Sequence, residues 1–336
     1  AMSAKENRRF YESVALFQAI ARVQPRFEQI WEYMSWDLAY NISVEVDDED
    51  GKWSWYLAGL DANVQGCRRN PESERLLRHL AWMFHHKGDL FHQRVLDADW
   101  APLMNPLIAD LNRRLDADCA LPAWPAGSGH TNFELATYCY RAAFVVAQHE
   151  GKRVPAFVRR MIPHSIEKDG NLWRNRGEHL KALHRYLDCL RAWQVVRDWI
   201  ASPDGTVDVH AHIGHGQTDP GDHRGHDHGD HAGHDDHAGH DHGDHADHDD
   251  HDHPPVDAAA WRIEQDRHDK EISHDVTERN EGRVRRKAAE LATLLAPDEA
   301  TGQAFLDRDW EAVDRELAKP GWKSAHRRGG VIWLDE

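Results

Sequence analysis

The sequence predicts an all-α fold: an array of antiparallel helix hairpins carrying one long disordered insertion. Three observations predict it. Apolar residues recur at three- and four-residue spacing along most of the chain. No strand-like alternation rises above background, apart from an extended run "VIWL" near the C-terminus. Residues 225–255, "GHDHGDHAGHDDHAGHDHGDHADHDDHDHPP", hold no apolar side chain larger than Ala before Pro254, so they cannot contribute to a core. A length of 336 residues fits two domains or one elongated repeat array. An apolar content of 40% suffices for a core, and fourteen Trp supply large rings for helix–helix contacts.

The elements follow in order. "ESVALFQAIARVQPRF" puts Val14, Phe17, Ile20 and Ala21 on one helix face, and Pro25 stops the run. "FEQIWEYMSWDLAYNIS" carries a stripe of Ile30, Tyr33, Met34, Asp37 and Leu38. After the acidic turn "DDEDG" come "KWSWYLAGLDANVQGCRRNP" and "ESERLLRHLAWMFHHKG". Residues 89–128 are less regular, and "LPAWPAGSGH" (121–130) is a Pro/Gly-rich connector. "NFELATYCYRAAFVVAQHEG" is an apolar helix ended by Gly151, and in "VPAFVRRMIPHSIEKDG" a kink or break is expected at Pro163. Glu178 to Ile200 is the clearest amphipathic helix, with Leu180, Leu183, Leu187, Leu190, Trp193 and Val196 on its stripe. Beyond the insertion, Pro255 suits the first turn of a helix whose middle is poor in apolar residues. Only its ends, Trp261 and Leu291 to Leu295, are expected to pack. "DRDWEAVDRELAKPG" reads as a last short helix. The expected division is helical hairpins over 6–124 and 130–203, the insertion over 204–257, and C-terminal helices over 258–336.

The N-terminal segments resemble tetratricopeptide repeats, paired antiparallel helices closed by a proline. Pro25 stands at the closing position with Phe17 as the aromatic residue before it, Trp31 at the family's Trp position and Ser35 at its small-residue position. Pro71 repeats the arrangement, with Leu77 for the Trp, Ala81 as the small residue and Phe84 at the Tyr position. A small residue on one helix lets the next approach closely, and the proline ends it. The chain departs from the family pattern in spacing: 46 residues separate Pro25 from Pro71 rather than 34. A third unit with Gly177, Ala182, Tyr186 and Cys189 lacks the closing proline. "SWDLAYNISVEVDD" with "LAWMFHHKG" is also similar to a group of planctomycete repeat-like proteins of unassigned activity, a resemblance that implies no catalytic residues. What the repeat resemblance implies is a helical surface, concave along the array, for a protein or peptide partner.

The formal charge of −17 belongs mostly to one segment: residues 204–257 hold fifteen Asp against one Arg. The rest is close to neutral, which argues against nucleic-acid binding. "RVRRK" (283–287) and "HRRGG" (326–330) read as solvated faces and tails. Cys67, Cys119, Cys139 and Cys189 form no C-x-x-C pair, and free thiols in a reducing compartment are expected. No run of 18 apolar residues is present, so no membrane span is expected. No secretory signal is visible, and "AMSAKEN" reads as a cloning residue ahead of Met2. The expectation is a cytoplasmic protein or the soluble portion of a larger one.

The candidate chemistry lies in the insertion. Its fifteen histidines are His210, His212, His215, His223, His226, His228, His231, His234, His237, His240, His242, His245, His248, His251 and His253. Many stand as H-x-H or H-x-x-H with Asp between, a donor set suited to Zn, Ni, Co or Cu. At three or four imidazoles per ion they would hold on the order of three to five ions, exchangeable because nothing imposes geometry. Two other readings stand beside metal capture: a solubilising insertion, and a pH-responsive segment whose imidazoles charge on acidification.

Elsewhere, His85, His86 and His92 surround a helix end at Gly88 and read as cap or surface residues. His79 reads as a packed interface residue rather than half of a ligand pair with His86, and His179 and His184 do not face each other. "VDDEDG" (46–51) fails as a calcium loop, because Val46 and Leu57 would fill its first and last ligand positions. "NIS" (41–43) matches a glycosylation acceptor but falls in or beside a helix. No nucleophile elbow, phosphate loop, dinucleotide fingerprint or H-E-x-x-H occurs. A binding protein is therefore expected, with a plain interaction scaffold and an enzyme sited in a helical cleft as alternatives.

Overall fold

A computed structural model of the chain describes residues 10–202, 258–296, 325–328 and 331–334. Its body is helical. Helix α1 spans Phe10–Val23; α2 spans Glu28–Trp36 and runs on through a π-helical turn, Asp37–Ile42; α3 spans Glu49–Arg69; α4 spans Glu74–Trp82 and ends in a second π turn, Met83–Lys87. A 3₁₀ turn, Gly88–Phe91, leads into the short α5, His92–Asp97. Then come α6 (Ala101–Asn112), α7 (Asn132–His149), α8 (Ala156–Asn175), α9 (His179–Ala201) and α10 (Ala258–Leu295). Ala325–Arg328 and Val331–Leu334 form a two-stranded antiparallel hairpin, β1 and β2.

The helix starts are written locally. Asp48 accepts from Gly51 N to open α3, and Ser73 accepts from Leu76 N to open α4. Thr131 and Glu134 form a reciprocal capping box on α7. Gly151 and Gly177 take positive φ where α7 and α8 end. The two proline turns are tied together: Trp31 Nε1 and Asn70 Nδ2 both donate to Pro25 O, at 3.0 and 3.1 Å, and Arg26 pairs with Glu72. Helix α3 lies close on α2. A Cβ added to Gly59 would fall 2.7 Å from Ser35 O, and one on Gly66 2.6 Å from Trp31 Cβ, so only glycine fits at either contact.

Two apolar clusters make the core. The larger runs from Phe17 through Leu60, Leu80, Phe84 and Met104 to Val146 and Val158, joining α1–α8. The smaller joins α8, α9 and α10 through Trp173, Leu183, Tyr186, Leu190, Trp193, Val284 and Leu291, and Ile162 packs against both. Cys67, Cys139 and Cys189 are buried free thiols and Cys119 is an exposed one.

Several expectations change. Ile20 and Tyr33 are each 39% exposed, and Trp31, off the expected stripe, is buried. Helix α8 runs unbroken through Pro163, whose carbonyl accepts from Cys189 Sγ. Packing on both sides of α8 outweighs the one backbone bond that proline removes. Helix α10 packs along its middle and not only at its ends: Lys270, Ser273, Thr277, Asn280 and Glu281 are all buried. Lys270 and Glu281 take polar partners there, Ser202 O and Arg197, whereas the Ser273 and Thr277 hydroxyls take none among the described residues. Within 258–336, expected as C-terminal helices with an extended "VIWL", β2 falls on that run and pairs with β1, and "DRDWEAVDRELAKPG" lies outside the described residues. So does the segment 204–257, which connects α9 to α10; Lys270 Nζ of α10 donates to Ser202 O at 3.2 Å. No helix among the described residues is long and apolar enough to cross a membrane.

Candidate functional site

All fifteen histidines from His210 to His253 lie outside the described residues. Within those residues, no group of three or more His, Cys, Asp or Glu is placed to hold a metal ion. The histidines of the helical body have other duties. His79 Nδ1 sits 2.8 Å from Asn63 Nδ2 and 3.3 Å from Ser35 Oγ. Asn63 Oδ1 accepts from Cys67 Sγ, so Asn63 presents its amide N–H to the ring and Nδ1 is the acceptor. Burial, with Arg75 and Arg78 adding to it, pushes the His79 pKa down to about 4. His85, expected at the surface, is instead tucked between α4 and α8: its Nδ1 is 2.9 Å from Ser165 Oγ, which itself donates to Met161 O. Burial pushes the His85 pKa down to about 3, so the ring is neutral. His92 and His184 are exposed and His179 is buried.

The conspicuous surface feature is a row of rings shared by three helices. Trp36 and Tyr40 of α2 and its π turn stack at 4.0 Å with 10° between their planes. Tyr40 continues onto His86, in the turn that ends α4, at 5.7 Å and 19°, and His86 onto Trp82 at 5.2 Å and 6°. Trp82 then meets Phe157 of α8 at 6.3 Å. Trp36 and Phe157 are each 38% exposed, and His86 is exposed.

The local cause is the pair of π turns. Trp36 and Trp82 are each the last α-helical residue before one, and Tyr40 and His86 lie inside them. The extra residue of a π turn re-aims side chains, which is why such turns recur at functional positions. Lys87 Nζ lies over the Tyr40 ring, 5.5 Å from its centre, so the row already receives one cation. The indole N–H groups of Trp36 and Trp82 make no hydrogen bond within the described residues.

Comparison with protein-family models, with curated proteins and with solved structures returned no match to this chain. The site therefore rests on its own geometry. Because the rings stack on one another, the row offers ring edges and two indole N–H donors, which can pack beside an extended chain and donate to its carbonyls. The sequence did carry a signal for the row: Trp36/Tyr40 and Trp82/His86 repeat one Trp-x-x-x-ring spacing on consecutive hairpins.

Proposed function

We propose that this chain is a non-enzymatic binding protein. In this reading a tetratricopeptide-like helical scaffold holds a protein or peptide partner along its concave face, and the histidines of 210–253 capture divalent transition metal, Zn, Ni, Co or Cu. The observation that carries the scaffold reading is the ring row from Trp36 to Phe157, with its two unpaired indole donors. The metal reading is supported by donor chemistry: fifteen imidazoles interleaved with carboxylates, in a segment that connects Ser202 to Ala258.

Two measurements test it. Calorimetric titration of zinc or nickel into the intact chain is expected to show several weak sites, all lost on deleting 210–253. A tight ion that survives the deletion rejects the assignment of metal to that segment. Peptides selected on the intact chain from a random library are expected to lose binding to a Trp36→Ala/Trp82→Ala chain that still melts cooperatively, at a lower midpoint because Trp82 packs on the core. Peptides that bind both chains equally reject the ring row as the docking face.

A further inference from the structure

A second site lies away from the ring row, where the connector 120–131 covers α7, α8 and α9. It is a pocket of about 280 Å³, near the lower end of the ~300–1,000 Å³ usual for small-molecule sites. The connector over it is pinned. Asn105 accepts from Trp124 N (2.8 Å) and donates to Trp124 O (3.1 Å). Asn112 does the same for Leu121, at 2.8 Å both ways. Tyr138 OH donates to Pro122 O. Trp124 and Tyr138 meet edge to face at 5.3 Å, so the apolar wall is built before any ligand arrives.

The polar groups of this pocket divide into those already engaged and those not. Every carboxylate is engaged. Asp169, 2% exposed, accepts from Thr131 Oγ1 and Arg185 Nε at 2.7 Å each. Glu134 takes Arg185, His130 and Thr131 N, and Asp188 takes Arg185 and Arg191. What remains unengaged is a set of donors. Thr137 is 8% exposed and lines the pocket, and its hydroxyl makes no hydrogen bond within the described residues. Trp124, 6% exposed, has an indole N–H with no partner there. Arg141, one helical turn from Thr137, makes no hydrogen bond or ion pair within them, though Asp188 and Arg185 are near.

We propose that this pocket binds a small organic carboxylate with a flat apolar body. The guanidinium of Arg141 and the Thr137 hydroxyl take the carboxylate, and the body lies against Trp124 and Tyr138 beneath Pro122 and Pro125. A cationic ligand is disfavoured because each carboxylate of the pocket already has a cationic partner and Arg141 would repel it. The anion instead meets the one guanidinium in the pocket without a paired carboxylate, in a fork geometry suited to two parallel hydrogen bonds.

Three probes of one shape and different charge test this on the intact chain: benzoate, benzamide and benzamidine. The Trp indole ¹H–¹⁵N signals are followed, with Trp124 assigned by its loss in Trp124→Phe. Benzoate is expected to shift the Trp124 signal saturably at millimolar concentration, benzamide to do so more weakly, and benzamidine to leave it unmoved. Arg141→Gln, which removes no hydrogen bond or ion pair among the described residues, is expected to weaken benzoate roughly tenfold or more while the chain still melts cooperatively. Thr137→Val is expected to weaken it less. Three results each overturn the proposal: preference for benzamidine, benzoate binding indifferent to Arg141→Gln, and no binding of benzoate at millimolar concentration.

Discussion

At the scale of single residues, His79 shows how one imidazole ties three helices. It stands on α4, faces Ser35 of α2 and accepts from Asn63 of α3, and it does so only while neutral. Its folded pKa is about 4 against an ordinary 6.5. The unfolded chain therefore binds more protons between those values, and stability rises with pH across them. The contribution is complete above the unfolded value and is lost as pH falls toward about 4. With that shift, His79 is expected to cost about 2 kcal/mol on going from pH 7 to pH 5. Urea unfolding at pH 7, 6 and 5 checks it: a His79→Gln chain should lose about 2 kcal/mol less over that range than the parent. Parallel curves for the two chains reject the assignment. Asp169 acts with the opposite sign. Burial, then the charge of Glu134, raises its pKa despite Arg185, so it stabilises the fold at low pH and that contribution is lost as pH rises through the raised value. An Asp169→Asn chain is expected to gain relative stability toward neutral pH, read from the same curves.

Elements are held by chemistry that differs along the chain. Helices α1–α4 meet mainly through apolar side chains and glycine contacts, with polar ties such as His79 and Arg75–Glu32, whereas α10 adds a charged seam to its apolar contacts. Glu167 of α8, 3% exposed, receives Arg283 at 2.6 Å and Lys287 at 2.7 Å. Burial alone would push the Glu167 carboxyl up, but those hydrogen bonds outweigh it and hold its pKa below the ordinary value. Arg197 of α9 pairs with the buried Glu281, Arg153 reaches Asp269 at 2.7 Å, and Arg174 reaches Glu290 at 2.8 Å. Removing one member of such a buried pair costs roughly 3–5 kcal/mol, less where the other can turn to water, as Arg283 can. Glu167→Ala is therefore expected to detach α10 selectively: hydrogen exchange of 270–292 should rise while that of α2–α4 stays unchanged. A uniform rise would make α10 part of one cooperative unit with the rest.

The same contrast explains what the sequence disclosed. Helices buried by Leu, Ile, Trp and Ala were legible from spacing, and Gly151, Pro25 and Pro71 marked their ends. The middle of α10 was not, because ion pairing leaves no apolar period. The π turns were not, because an extra backbone residue leaves no side-chain signature. The ring row had a faint one. The carboxylate pocket had none, since His130, Arg141, Asp169 and Arg185 come from three helices and a connector and meet only after folding.

For the molecule as a whole, the question is whether the body needs the 54 residues between Pro203 and Ala258, or only their ends. Helices α9 and α10 are already joined by Trp193, Val196, Val284 and Leu291, by Arg197 with Glu281, and by Lys270 with Ser202 O. From Lys270 back to Ala258 is twelve residues of helix, a rise of ~18 Å, which about six extended residues can cover. A linker of about ten Gly and Ser in place of 204–257 therefore reaches without strain. Shortening the closure from 54 residues to about ten relieves roughly 1.5 kcal/mol of loop entropy, since each doubling of length costs about 0.6 kcal/mol. For a body of this size that is a rise of a few degrees in melting midpoint. Calorimetric melting of the two chains in chelator checks it. A midpoint equal to or slightly above the parent's, with metal binding gone, fits a body that folds on its own contacts and a segment that only captures ions. A fall of several degrees would mean that the His/Asp segment packs on the helices, and the division between scaffold and metal capture would have to be given up.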